Sequence, residues 1–432
     1  KKVLGSLTEA VKAQSSVDAE WSRLKKIFAS PQLQMVSFTI TEKGYALRDA
    51  KGEYFPFIRS DIDNGPDKAS SAMAVVSALL YERFNTCKAP LAVVSMDNCS
   101  HNGEKLRNSI TDMVGEWQKK GFVSEDFVQY VNDENTISFP WSMIDKITPR
   151  PADTVAESLK EAGVEDMDPV ITSKRTYIAP FVNAEGPQYL VIEDRFPNGR
   201  PQLEKAGVYM TDRDTVNKVE RMKVTTCLNP LHTALAVYGC VLGYDLIADE
   251  MKDKELSELV KRIGLVEGMP VVTNPGIIDP EKFADEVINV RIPNPFMPDT
   301  PQRIATDTSQ KVGIRYGETI KSYVAKDGSA RALTAIPLAI AGWCRYLLGI
   351  DDNGEAFELS PDPMADELKC QLDGIVWGES SSYTGQLKNL LSNANIFGIN
   401  LYEAGIGDKI EEMFVEEISG KGAIRETLKK YL

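Results

Sequence analysis

Histidine is nearly missing from this chain: 432 residues contain only His101 and His232. That scarcity excludes a zinc or iron centre built on several imidazoles. The six cysteines, Cys87, Cys99, Cys227, Cys240, Cys344 and Cys370, never form a Cys-x-x-Cys pair. A chain this long needs no disulfide scaffold, so reduced thiols are expected. The chemistry is therefore expected to run without a metal. Positive charge is also in short supply. Asp and Glu number 63 against 49 Lys and Arg, leaving a net charge of −14. No polybasic stripe interrupts that balance, so neither nucleic acid nor an anionic membrane surface is an expected partner.

Long apolar runs are missing too. LHTALAVYGCVLGYDLIAD, from Leu231, contains a histidine and soon meets acids, and ALTAIPLAIAGWCRYLLGI, from Ala332, is broken by Pro337 and carries Arg345. Neither is the uninterrupted run of roughly 20 apolar residues that a membrane span needs. Both read as buried helices. The opening KKVLGSLTEAVKAQ has no apolar core of a signal peptide. With the reduced thiols, this points to the cytoplasm.

What is present alternates. Val36, Phe38 and Ile40 repeat with period two, the segment from Pro66 to about Phe84 is helical, and PLAVVSM (Pro90–Met96) reads as a strand buried on both faces. Leu106, Ile110, Met113, Val114 and Trp117 fall at helical spacing, and TISFP, RTYIAPFV and QYLVIEDRF read as later strands. Strand–helix alternation predicts an α/β fold with a Rossmann-like, doubly wound N-terminal domain. From about Thr211 helical periodicity dominates, so a boundary is expected near residue 210, with a mainly α-helical domain over 211–432. Such a sheet ordinarily opens with a strand and Gly-x-Gly-x-x-Gly. The sequence contains no such motif, so the 1–210 domain is expected to be N-terminally incomplete.

Three constellations carry chemistry. In MKVTTCLNPLHTALAVYG (Met222–Gly239), Asn229 and His232 stand three apart at the start of an apolar helix, and positions i and i+3 share a face. Pro230 suits the first helical position, which makes Asn229 the expected N-cap. Removing hydride from an alcohol requires a base for its proton and donors for the developing alkoxide. Lys223, withdrawn from water, suits the first task, and Asn229 and His232 the second. On residue types alone the capping, packing and solvated roles of these three stay open. In SMDNCSHNGEKL (Ser95–Leu106), Asp97, Asn98, His101 and Asn102 follow the buried strand, at the end where parallel sheets bind ligands. In Val290–Lys311, Arg291 and Arg303 flank Asn294-Pro295; arginine binds a carboxylate or vicinal oxygens through two parallel bonds.

Taken in order, VSFTITEKGY, SMDNCSHNGE, ISFPWSMIDKITP, YLVIEDRFPNGRP, KVTTCLNPLHTALAVYG and NPFMPDTPQRIATDTSQK resemble the long-chain mannitol dehydrogenase family over nearly the whole chain. CLNPLHT and VNAEGPQYLVIEDRF are most similar to its fructuronate reductase (mannonate oxidoreductase) branch. The resemblance implies that Lys223 is the base, that Asn98 and Asn229 polarise the reacting oxygen and that His232 orients substrate. It further implies Arg303 and Asn102 as substrate contacts, with Thr41 and Asp97 beside the cofactor. The lysine-to-asparagine spacing is six here against five in the commoner family wording, which implies a small bulge at Lys223 or a slip of one residue.

The implied activity is interconversion of a sugar-acid alcohol and its ketone, D-mannonate and D-fructuronate, with NAD and with NADP left open. A mannitol-type polyol or tagaturonate is the alternative small-molecule substrate. The missing glycine loop supports a third reading, a non-catalytic remnant that binds a sugar acid but no dinucleotide.

Overall fold

The computed structural model describes residues 3–148, 151–172, 175–297 and 299–432. Two compact units form, Lys1–Asp145 with Gln188–Asn217, and Lys146–Pro187 with Lys218–Leu432. Residues 146–187 group with the helical half. Local periodicity carries no signal of such an excursion, because it depends on which distant residues a segment packs against.

The strands in chain order are β1 Met35–Phe38, β2 Leu91–Ser95, β3 Ile137–Ser138, β4 Ser142–Asp145, β5 Val170–Ile171, β6 Tyr177–Ile178, β7 Tyr189–Glu193 and β8 Tyr209–Thr211. In the first unit β1, β2 and β3 form a parallel sheet, with Met35 opposite Ala92 and Leu91 opposite Ile137. A second sheet orders β4-β7-β8, antiparallel then parallel. The helices of this unit are α1 Asp18–Phe28, α2 Pro56–Asn64, α3 Ala72–Thr86, α4 Asn102–Lys119 and α5 Glu125–Asn132.

Strand β2 explains its own sequence. Leu91 and Val93 face the helix-covered core with Met73, Leu106 and Trp117, whereas Ala92 and Val94 face Ile192 of β7. Both faces are dry, hence the unbroken apolar run. Trp117 buries its ring completely and donates its indole N–H to the Asp61 carbonyl at 2.9 Å. RTYIAPFV, expected as a strand of this domain, contributes instead β6, paired with β5 in a separate hairpin of the second unit.

The later helices are α6 Asp153–Glu161, α7 Arg213–Met222, α8 Asn229–Leu242, α9 Ile247–Glu250, α10 Lys254–Lys261, α11 Pro280–Glu286, α12 Pro301–Ala305, α13 Glu318–Asp327 and α14 Ala335–Tyr346. Then follow α15 Ala365–Gln371, α16 Lys388–Leu391, α17 Ala394–Phe397, α18 Gly407–Glu417 and α19 Ala423–Tyr431. Helices α8 and α14 are the apolar runs of the sequence and form the core of this unit. They touch where Gly342 meets the Tyr238 ring so closely that a Cβ would overlap it. The start of α14 lacks a capping side chain of its own; Glu267 accepts its first backbone N–H groups, from Thr334, Ala335 and Ile336, at 2.6–2.8 Å.

Four π-turns, each adding one residue to a helical turn, interrupt this unit at Lys223–Cys227, Arg262–Gly268, Val287–Arg291 and Gly313–Gly317. The bonds that define them span five residues, as from Leu228 N–H to the Lys223 carbonyl at 3.1 Å and from Ile292 N–H to the Val287 carbonyl at 2.9 Å. Such turns gather at functional sites because they re-aim side chains. No helix among the described residues is long and apolar enough to cross a membrane.

Candidate active site

In the first unit, the loops after β1 and β2 hold four of the expected residues. Thr41 has φ +64°, a rare conformation for a β-branched residue. It is held there by Asp97, whose carboxylate accepts from Thr41 N–H at 2.8 Å, from Ile40 N–H at 2.9 Å and from the Tyr45 hydroxyl. Asp97 is buried and thus braces the loop that carries Thr41. Asn102 opens α4. It is 1% exposed, donates to the Asp97 carbonyl at 3.0 Å and the Ser142 hydroxyl at 2.9 Å, and accepts from Ser142 N–H at 3.0 Å. With both ends of its amide committed, it fastens β2 to β4. Asn98 is exposed, and the His101 ring lies on Trp141 with 4.6 Å between centroids. Next to them Gly103 is required, since a Cβ there would overlap Trp141 and the Phe139 carbonyl.

In the second unit, Lys223 opens the first π-turn and is 2% exposed. The turn is the bulge that the six-residue spacing implies. Asn229 is not the N-cap: α8 starts one residue earlier than expected, with Leu228 in the cap position and no side chain closing it. The amide is therefore free of capping duty, and its Oδ1 is buried with no hydrogen-bond partner. An orphaned buried acceptor is costly. Thr233, one turn on, donates its hydroxyl to the Asn229 carbonyl at 3.0 Å.

His232, on the adjacent face, lines a small pocket with Leu228, Arg291, Ile292, Met297 and Asp299. Its floor includes a buried ion pair that local sequence patterns do not reveal. Arg291 donates to Glu185 through Nε at 3.1 Å and Nη2 at 2.8 Å, and Glu185 accepts from Ile147 N–H at 2.7 Å. Arg303 stands on α12 at the rim, its side chain 64% exposed, and is tied to Asp299 through Nε at 2.6 Å. Asp299 thus links Arg303 to the wall of the histidine pocket.

The last π-turn is clamped to the same helix. Tyr316 donates to the Pro230 carbonyl at 2.9 Å, and Arg315 Nη1 donates to Thr233 Oγ1 at 2.5 Å. Burial holds the Arg315 guanidinium down at about 10, still charged at neutral pH. Nothing in the local sequence singled out Arg315; the one available signal was its four-residue spacing from Lys311 on a helical stretch. Among the described residues no three His, Cys, Asp or Glu side chains converge as metal ligands.

The chain has clear relatives among known proteins. Residues 5–205 match the model of the mannitol dehydrogenase Rossmann domain, and residues 215–417 that of the mannitol dehydrogenase C-terminal domain. The chain is 54% identical over 433 residues to the D-mannonate oxidoreductase of Thermotoga maritima, covering all of this chain and 80% of that one. Among solved structures, the mannitol 2-dehydrogenase of Pseudomonas fluorescens, a ternary complex with NAD and D-mannitol, has a TM-score of 0.65 at 25% identity, covering 99% of this chain and 79% of that one. A substrate-free D-sorbitol dehydrogenase has a TM-score of 0.71 at 27% identity, covering 93% and 78%. With both domain models matched in order and the 54% identity running along the whole chain, the chain belongs to the mannitol dehydrogenase family.

Proposed function

We propose that this oxidoreductase interconverts D-mannonate and D-fructuronate with NAD. The observation that carries the reading is 54% identity, along the entire chain, to a D-mannonate oxidoreductase. The residues present fit the chemistry. Lys223 is out of water, and its amine is the group suited to take a hydroxyl proton. Asn229 presents an amide with no structural task, suited to binding the reacting oxygen or its neighbour. His232 opens into the adjoining pocket and orients the substrate. Arg303 offers the face of its guanidinium that Asp299 does not take.

A bound nicotinamide would supply the hydride acceptor for the alcohol carbon. Lys223 Nζ takes the hydroxyl proton as the C=O bond forms and later releases it to water. The loops after β1 and β2 are where a parallel sheet of this kind receives a dinucleotide. Thr41 in its strained conformation lies in the first of them, braced by Asp97. Asn98, exposed at the carboxyl end of β2, supports a ligand-facing role for its amide.

The test is reduction of NAD, and separately NADP, by D-mannonate, D-altronate and D-mannitol, followed by NADH absorbance. Preferred turnover of D-mannonate with NAD is expected. Faster turnover of D-mannitol, or D-mannonate oxidation that survives Lys223→Ala, would overturn the substrate or the mechanism respectively.

A further inference from the structure

A sugar acid brings a negative charge that a polyol lacks, and the second unit contains a cation with no counter-ion. Arg315 has one hydrogen-bond partner, the neutral hydroxyl of Thr233, and among the described residues no carboxylate pairs with it. Four of its five N–H protons are left over. A half-buried charge without compensation is destabilising, and it persists where a ligand supplies the missing partner.

Its position is fixed rather than loose. Gly313 and Gly317 bracket the π-turn and press so closely on the Ile396 and Phe397 carbonyls that a Cβ at either would overlap them. Tyr316 fastens the turn to Pro230, and Thr319 fastens the next one to the Thr225 carbonyl at 3.2 Å. One helical turn before Arg315, Lys311 is also half-buried; its amine is pushed down by burial and then by the charge of Arg315. Lys311 Nζ donates to the Thr306 carbonyl at 2.6 Å, again a neutral partner. Arg303, by contrast, is exposed and already paired with Asp299.

The guanidinium hangs from Thr233, whose hydroxyl in turn holds the Asn229 carbonyl, so Arg315 and Asn229 occupy one face of α8. That face therefore offers an unpaired cation and, through Asn229 Oδ1, an unpaired acceptor. A ligand bearing a carboxylate and a hydroxyl several atoms away satisfies both.

We propose that Arg315 is the carboxylate anchor of the substrate site, with a hydroxyl of the same sugar acid donating to Asn229 Oδ1. This inference rests on the sugar-acid reading given above. It predicts a specificity residue outside the motifs that carry the proton transfer.

The full chain is assayed as wild type, Arg315→Gln and Arg315→Lys, with D-mannonate as substrate and its neutral amide, D-mannonamide, as competitive inhibitor. Arg315→Gln is expected to raise the KM for D-mannonate on the order of 10- to 100-fold, the range for losing a charged hydrogen-bonded partner. The KM for NAD and the inhibition constant of the amide stay within about twofold, and Arg315→Lys recovers part of the loss. Thermal unfolding checks that the variants fold; if Arg315→Gln does not, Arg315→Lys carries the test through its partial KM effect. An unchanged KM for D-mannonate in the variants overturns the assignment. So does a weakening of the amide in parallel with the acid, which would give Arg315 only a part in shaping α8. Wild-type enzyme that turns over polyols but no sugar acid would instead overturn the function reading, a distinguishable result.

Discussion

Two arginines in the second unit were made by the same device and put to different ends. Arg291 closes one π-turn and Arg315 lies within another. Arg291 meets Glu185 in a two-bonded pair whose side chains are 2% and 1% exposed, and the carboxylate is steadied further by a backbone N–H. Arg315 meets a hydroxyl. In an interior of low dielectric a guanidinium needs an anion nearby. Arg291 finds its own 106 positions away in the chain, whereas Arg315 is left to find one in solution. Arg83 shows a third solution: fully buried, it is satisfied by backbone carbonyls, among them Phe28 at 2.7 Å and Ala89 at 2.8 Å, a set of partners that Arg315 lacks.

The difference can be broken or sharpened experimentally. The largest effect lies outside the pair and sets the scale: Lys223→Met should lower kcat by about 10²- to 10⁴-fold, the range for losing a positioned proton acceptor. Binding of D-mannonate, measured by calorimetry, should survive. Next comes Arg291→Met. Leaving Glu185 buried and unpaired is expected to destabilise the fold by about 3–5 kcal/mol in chemical denaturation. If Arg291→Met were instead neutral for stability and harmful to KM, the architectural assignment would collapse and the two arginines would be alike.

A third effect concerns a buried acid that has no such partner. Tyr238 has one hydroxyl proton and two oxygens within reach, the Leu338 carbonyl at 2.8 Å and Glu417 Oε1 at 2.6 Å. Of the two bonds, the one it donates to Glu417 is the shorter. Burial, opposed by the Tyr238 hydrogen bond and the Arg345 charge, pushes this carboxyl up to about 8. The folded form therefore holds a proton that the unfolded chain has already lost above its ordinary value of 4.5. Stability contributed by neutral Glu417 is full below that value and is lost as pH rises to about 8. Glu417→Gln should flatten the decline of Tm across this window, though Glu250, also raised by burial, keeps some of it. The smallest effect belongs to Arg303→Ala. Its exposed pair with Asp299 should contribute at most about 1 kcal/mol. The KM for D-mannonate should rise less than with Arg315→Gln; a larger rise would move the carboxylate to Arg303.

The sequence revealed what repeats locally. The dry two-faced strand β2 and the apolar helices α8 and α14 follow from spacing along one segment, whereas the bulge at Lys223 was one of two readings that came from setting its six-residue spacing against the family's five. It concealed what depends on distance. The excursion over residues 146–187, the Glu185–Arg291 pair and the docking of Arg315 on Thr233 each join positions far apart in the chain. Capping was misplaced by a single residue at Asn229, because Pro230 fits either of the first two positions of the helix. The bond from Asn102 to Ser142, 40 positions away, was equally hidden from local patterns.

The π-turn at Lys223–Cys227 has a consequence for how this chain tolerates change in length. An ordinary helical residue advances the chain by about 100°, so an unabsorbed insertion ahead of Asn229 would swing every side chain of α8 away from its neighbours. Here the additional residue is swallowed as a widened loop of backbone, and Tyr316 still meets the Pro230 carbonyl at 2.9 Å. The turn works as an expansion joint. It lets the segment bearing the base gain or lose a residue while the helix bearing its partners keeps its orientation.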